Sequence, residues 1–164
     1  MKKLKGIRLK HRKNTENSVT TELPLPAEVT IPMSMTMGKF CQPLVKVGDE
    51  VRVGQKIGDC PEMFSAPVHS GVSGKVKLLK DYIAANGAVC KAVVIETDGL
   101  QTVSEEVKKP VVSDRESFLN AVRESGACGL GGAGFPTGKK WKFAHDAVSP
   151  DGVKYICCNA DEGD

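Results

Sequence analysis

Apolar residues along the first two thirds of the chain fall in short runs cut by glycine turns, at Val29 to Met33, Leu44 to Val47, Val51 to Ile57, Val72 to Leu79 and Val89 to Ile95. Runs of this length bounded by turn residues predict strands. Gly48-Asp49, Gly54 and Gly58-Asp59 follow one another at short spacing, and that density of turns predicts a small all-β barrel or sandwich. Ahead of the strands, Asn14 to Pro26 is polar and then proline-punctuated, an extended entry arm. Behind them, Leu100 to Pro110 shows neither period, and a domain boundary is expected there.

The period then changes. Ser113 with Glu116 three residues later predicts a helix start with a capping box; Phe118, Leu119 and Val122 share one face, and Gly126 stops it. A glycine-rich segment follows, CGLGGAGFPTGKKW from Cys128 to Trp141. Trp141 to Val148 predicts a second short helix, Ser149-Pro150-Asp151-Gly152 a turn, and Val153 to Asn159 a buried strand. Helix, loop, helix, strand is the opening of an α/β layer. The expected class is α+β: an arm (1–27), an all-β module (28–98), a linker (99–112) and the start of an α/β domain (113–164).

Composition supports globular domains with real cores, at 164 residues and 40% hydrophobic content. No run of eighteen apolar residues is present, so no direct membrane span is expected and the cytoplasm is the default compartment. Six cysteines, Cys41, Cys60, Cys90, Cys128, Cys157 and Cys158, form no CxxC pair; reduced thiols acting as small hydrophobes are expected rather than metal ligands. Residues 1–13 hold seven of the 23 Lys and Arg and none of the 20 Asp and Glu, so the rest of the chain is net acidic. A solvated terminus is the bland explanation, and an anionic lipid surface or acidic partner the sharper one. No aromatic residue is interleaved with those charges, which disfavours nucleic acid.

Two strings narrow the β module. VKVGDEVRVGQKIGD followed by FSAPVHSGVSGKVKLL resembles the barrel-sandwich hybrid of biotinyl and lipoyl carrier domains. A carrier presents a lysine on the hairpin between its halves, and the corresponding stretch, Cys60-Pro-Glu-Met-Phe64, has none. Carrier function is therefore not expected. The same strings, with Gly6-Ile7 and the Leu23 to Pro26 segment, resemble the RnfC proteins of the Rnf electron-transport complex, which use the fold as a structural module. His69, beside Pro67 and Gly71 without a nearby carboxylate or cysteine in sequence, is expected to be a turn residue rather than a catalyst.

Four glycines in the six residues GLGGAG allow backbone amides to approach a phosphate or a flavin edge closely. Taken alone the cluster is weak, because a helix rather than a strand precedes it and the Rossmann context is missing. Lys140 supplies positive charge, and Phe135 and Phe143 offer rings for planar ligands. With its flanks, GxGGAGFPTGxKW and then YxxCNADE, the segment resembles the NADH-oxidising flavin subunit of respiratory complex I. The resemblance implies that Phe135, Lys140 and Phe143 contact NADH, and that Gly129, Gly131, Gly132, Gly134, Asn159, Asp161 and Glu162 surround FMN. It further implies hydride transfer to the flavin N5, with electrons leaving through iron–sulfur clusters. The bland alternative is that Trp141 and Phe143 are core, Lys140 is solvated and 161–164 is an acidic tail.

Leu130 stands where the complex I flavin proteins usually carry arginine, as in the Rnf-like group, whereas Gly138, Trp141 and Asn159-Ala-Asp-Glu162 look more like complex I. The mixture resembles the proline-reductase-associated electron-transfer proteins. Asp164 replaces a usual glutamate. The sequence stops inside the motif, while the family continues with more flavin loop, an SLBB domain and 4Fe-4S cluster domains. This product is accordingly expected to be a fragment that binds FMN weakly or not at all and oxidises no NADH, with a UGA codon read as a stop as one origin. Expected partners are other subunits of an electron-transfer complex or a reductase, with a place in the cytoplasm or at the cytoplasmic membrane face. The competing expectation is a non-catalytic scaffold or interaction module with a vestigial glycine-rich tail.

Overall fold

The computed structural model describes Lys10, Arg12, residues 14–155 and Cys157. Gly6, Ile7, Asn159, Asp161 and Glu162 lie outside the described residues. Seven strands and two helices run in the order β1 (Glu28–Pro32), β2 (Gln42–Pro43), β3 (Glu50–Val51), β4 (Lys56–Asp59), β5 (Val68–His69), β6 (Gly74–Ile83), β7 (Val89–Thr97), α1 (Arg115–Glu124) and α2 (Thr137–Asp146). Among the described residues, no helix is long and apolar enough to cross a membrane.

The strands form two sheets, ordered β1-β7-β6-β3 and β2-β4-β5. β7 is central in the larger one because Ala92, Val93, Val94 and Ile95 are all buried, a mostly β-branched run that suits a strand covered on both faces. It pairs antiparallel with β1 on one side, Ile31 opposite Val93, and with β6 on the other, Val76 opposite Ile95. One core collects Ile31, Met33, Val51, Ile57, Val68, Val72, Val76, Val93 and Ile95 from both sheets.

The turn signals have one physical basis. In Lys46-Val-Gly-Asp49 the Asp49 N–H donates to the Lys46 carbonyl at 3.1 Å, and the Lys46 N–H to the Asp49 carboxylate at 2.9 Å. In Arg52-Val-Gly-Gln55 the same two bonds recur, at 3.1 Å and 3.0 Å, with a Gln55 amide oxygen as the side-chain acceptor. Both central glycines have positive φ, +94° at Gly48 and +80° at Gly54, the third-position geometry that favours glycine. These turns cut the expected strands short. Leu44 to Val47 is not a strand, its place being taken by β2 just before it, and Val51 to Ile57 is split into β3 and β4 around Gly54.

The segment after β7 is laid onto the module rather than suspended from it. The Val53 N–H donates to the Thr102 carbonyl and the Ser104 N–H to the Val53 carbonyl, both at 2.9 Å. Helix α1 begins one residue later than expected. Asp114 is the N-cap, accepting from the Ser117 N–H at 2.8 Å, while the Ser117 hydroxyl closes the box from the other side. α2 starts at Thr137, four residues before the expected Trp141. The strand expected from Val153 to Asn159 is absent over its described part, where Val153 and Tyr155 are exposed; among the described residues this apolar stretch has no neighbouring strand to pair with. The class is α+β, an all-β barrel-sandwich hybrid followed by a helical pair.

Candidate functional site

The glycine segment is a loop closed at its base. Gly129 N–H donates to the Phe135 carbonyl at 2.8 Å and Thr137 N–H to the Ala127 carbonyl at 3.0 Å, with Cys128 and Pro136 bridged antiparallel. The tip projects outward: Leu130 is 94% exposed, and nothing would lie within 4 Å of a side-chain carbon placed on Gly131 or Gly132. The descending limb is fixed. Gly134, at φ +62°, sits so close to the β module that a Cβ there would meet the Met35 carbonyl oxygen at 3.1 Å and Thr36 Cα at 3.2 Å. Its own carbonyl accepts from the Met37 N–H at 3.0 Å. Glycine is required at 134 for docking, and at 131 and 132 it leaves backbone uncovered.

The expected ring residues lie beside this limb and share one partner. Phe64, in the loop between β4 and β5, meets Phe135 edge-on at 5.7 Å between centroids and Phe143 at 6.0 Å. Phe143 keeps 42% of its surface exposed. Trp141 is not core: it stacks on Phe118 at 5.6 Å and stays half exposed. Lys140, in the first turn of α2, is exposed and makes no ion pair among the described residues. α2 has no side chain capping its N-terminus at Pro136. A cleft of about 460 Å³ between the helices is lined by Arg115, Asn120, Arg123, Pro136, Gly138 and Lys139.

A second bond between module and helices is ionic. Arg123 of α1 reaches Asp59 of β4 at 2.7 Å and the Cys60 carbonyl at 3.0 Å, and Lys56 pairs with Glu124. Burial opposes the charge of Asp59, but the Arg123 guanidinium and the Cys60 N–H outweigh it and hold the carboxyl below the usual carboxylate range. Burial likewise opposes Glu124, and Lys56 and Arg123 draw it down. His69 lies in β5, not in a turn, with Gly126 packed over its ring. Burial, aided by Lys56, pushes its imidazole below the ordinary histidine value. Of the cysteines, Cys41, Cys60 and Cys90 are buried, Cys128 is half-buried and Cys157 exposed.

Sequence comparison assigns both halves. The family described as the RnfC barrel sandwich hybrid domain matches residues 2–100. The chain belongs to the RnfC family. The Nuo51 FMN-binding domain matches residues 122–164, the part that carries the glycine loop. The RnfC-type subunit of the Na(+)-translocating ferredoxin:NAD(+) oxidoreductase complex of Acetobacterium woodii is 39% identical over 154 residues, covering 89% of this chain and 33% of that protein. Its counterpart in the proton-translocating ferredoxin:NAD(+) oxidoreductase complex of Clostridium ljungdahlii is 34% identical over 132 residues, 76% of this chain and 28% of the relative. The corresponding protein of the ion-translocating oxidoreductase complex of Vibrio cholerae is 31% identical over 135 residues, 80% and 17%. The chain thus spans at most about a third of the length of these curated relatives.

Sequence reasoning does not single out Phe64, Met35 to Met37 or the Asp59–Arg123 pair. The Cys60 to Phe64 stretch stands out there only for its missing lysine, and no periodicity links residue 64 with 135. An aromatic residue at the tip of a carrier-like hairpin is the signal that could have found it.

Proposed function

We propose that this chain forms the first part of an NADH-oxidising electron-transfer subunit that uses FMN and, elsewhere in the full-length protein, 4Fe-4S clusters. The observation that carries the reading is the loop of residues 129–135, tied at its base and along one limb while Gly131 and Gly132 present bare backbone to solvent. FMN, when bound, supplies a hydride acceptor that can release electrons singly. The chain's residues bind and orient: amides at the tip take the flavin or its phosphate, and Lys140 balances negative charge. The open side of Phe143 takes a planar ring of NADH. Asn159, Asp161 and Glu162 complete the flavin surroundings by resemblance.

The division at residues 99–112, a place at the cytoplasmic membrane face beside other subunits of an electron-transfer complex or a reductase, and the absence of nucleic-acid partners belong to the same reading. On this reading the 164-residue chain by itself binds FMN weakly or not at all and oxidises no NADH, since among the described residues the tip faces solvent rather than an opposing wall. Titration of FMN, followed by absorbance near 450 nm, is the test on this chain and on one continued to the length of its relatives. Retention of yellow flavin through gel filtration by the longer chain, with bleaching by NADH, is the expected result. A longer chain that stays colourless transfers the weight to the scaffold reading.

A further inference from the structure

Carrier domains of this architecture expose a lysine on the hairpin between their halves, and here that hairpin, joining β4 to β5, carries Phe64. We infer that the hairpin has become an anchor: Phe64 positions the glycine loop, and through it the FMN site, with the Met35–Gly38 segment as the second point of attachment. The consequence for FMN rests on the function proposed above; the anchor itself does not.

Three observations converge on Phe64. Its ring lies between Phe135, on the descending limb of the loop, and Phe143, on α2, at centroid distances of 5.7 and 6.0 Å and interplanar angles of 75° and 59°. These are edge-to-face and tilted geometries in the favourable range. Phe64 is in turn held from behind by Gly38, where a Cβ would meet Phe64 Cβ and its carbonyl oxygen, each at 2.7 Å. The residues just before Gly38 make the only backbone bond between the β module and the loop among the described residues, Met37 N–H to the Gly134 carbonyl at 3.0 Å. Ring and backbone contacts therefore grip the same limb, 134–136, while residues 130–133 stay free.

A lysine in a carrier hairpin works by moving, whereas Phe64 fixes what it touches. With its limb tied, the loop presents the base of its tip in one placement relative to Lys140 and Phe143 before any ligand arrives, so that only residues 130–133 remain to be ordered, and partial preorganisation of this kind raises affinity by lowering the cost of ordering on binding.

Amide hydrogen exchange on the 164-residue chain tests the anchor without a cofactor. Phe64→Ala is expected to accelerate exchange at Met37, Gly129 and Thr137 by roughly tenfold or more, with β6 and β7 amides unchanged. Phe64→Tyr restores protection, and Phe64→Leu, which keeps bulk but loses the ring edge, does not. Gly134→Val, which drives a side chain into the Met35 carbonyl, gives the same local release by an independent route. In the continued chain, Phe64→Ala raises the FMN Kd by roughly tenfold and alters the visible circular dichroism of the bound flavin, whereas Phe64→Tyr leaves both near the parent values. Unchanged loop exchange in Phe64→Ala and Gly134→Val, or full rescue by leucine, overturns the anchor. Failure of the parent continued chain to bind FMN counts against the proposed function, and loop exchange still decides the anchor.

Discussion

The β module and the helical pair are built by different means. The module has a core whose central members, Ile57, Val93 and Ile95, are 0% exposed, drawn from two sheets. α1 has no buried residue and α2 only Gly138. What holds the pair is a capping box, a stacked Phe118–Trp141, a ring cluster around Phe64 and the Arg123–Asp59 bond. Burial is the dominant favourable contribution to folding, and it is concentrated in the module, so the helices draw their placement from contacts with the module rather than from a core of their own. The part carrying the candidate site is thus the less self-sufficient part.

The largest expected effect separates the two most sharply. Ile95→Ala removes a fully buried side chain between β1 and β6 and is expected to cost about 2–5 kcal/mol, read as a lower denaturant midpoint with the helical signal lost in the same transition. An equal loss from Trp141→Ala, which truncates a residue 46% exposed, would contradict the asymmetry.

Next comes the ionic contact. Arg123→Ala leaves Asp59 with the Cys60 N–H at 2.7 Å and, as its remaining cation, Lys56 at 3.5 Å, and is expected to cost about 1 kcal/mol, reduced from a buried-pair value because both partners keep a quarter of their surface in water. The loss falls on the helical pair, visible as faster exchange in α1 with β7 unaltered. Acid should do the same thing. Asp59 and Glu124 titrate lower when folded than in the unfolded chain, so their stabilisation is present above the ordinary carboxylate value of about 4 and is lost as pH falls through the depressed folded values. Docking of α1, followed by exchange or by limited proteolysis, is expected to weaken in that window, and Asp59→Asn should flatten the dependence. His69 adds in the same direction at higher pH: its depressed folded value means that protonation below about 6.5 favours the unfolded chain.

What is legible in the sequence follows the same divide. Valine and isoleucine runs cut by Val-Gly turns announce strands because the cause is local, a run of β-branched residues and a glycine that takes positive φ. Val51 to Ile57 reads as one strand because Gly54 looks like a pause in sequence, yet it is a reversal in space, its N–H donating to the Ser70 carbonyl at 2.8 Å. The glycine loop is legible as an open backbone at Gly131 and Gly132, but not as a docked one at Gly134, since the Met35 to Met37 backbone that forbids a side chain there is about a hundred residues away. Phe135 and Phe143 show the same limit. Their identity points to ring contacts, and nothing in their spacing says that one of those contacts is Phe64. The strand expected from Val153 rests on composition alone, and composition supplies no partner strand.

The smallest effect tests the free end of the loop. Leu130 lies at the tip, 94% exposed, where the complex I flavin proteins resembled by this segment usually carry arginine. Leu130→Arg removes no packing, so its effect on stability is expected to stay within about 0.5 kcal/mol, as for surface positions away from special features. An added guanidinium beside the bare amides of Gly131 and Gly132 gains a bidentate reach to phosphate, and a roughly two- to fivefold tighter FMN Kd at low salt, fading as ionic strength rises, is the expected reading. A tip that is free in structure and lies against the ligand must satisfy both halves of this expectation. Lost stability would mean that Leu130 is covered, and unchanged affinity in a chain that does bind FMN would move the phosphate away from the tip, toward Lys139 and the cleft between α1 and α2.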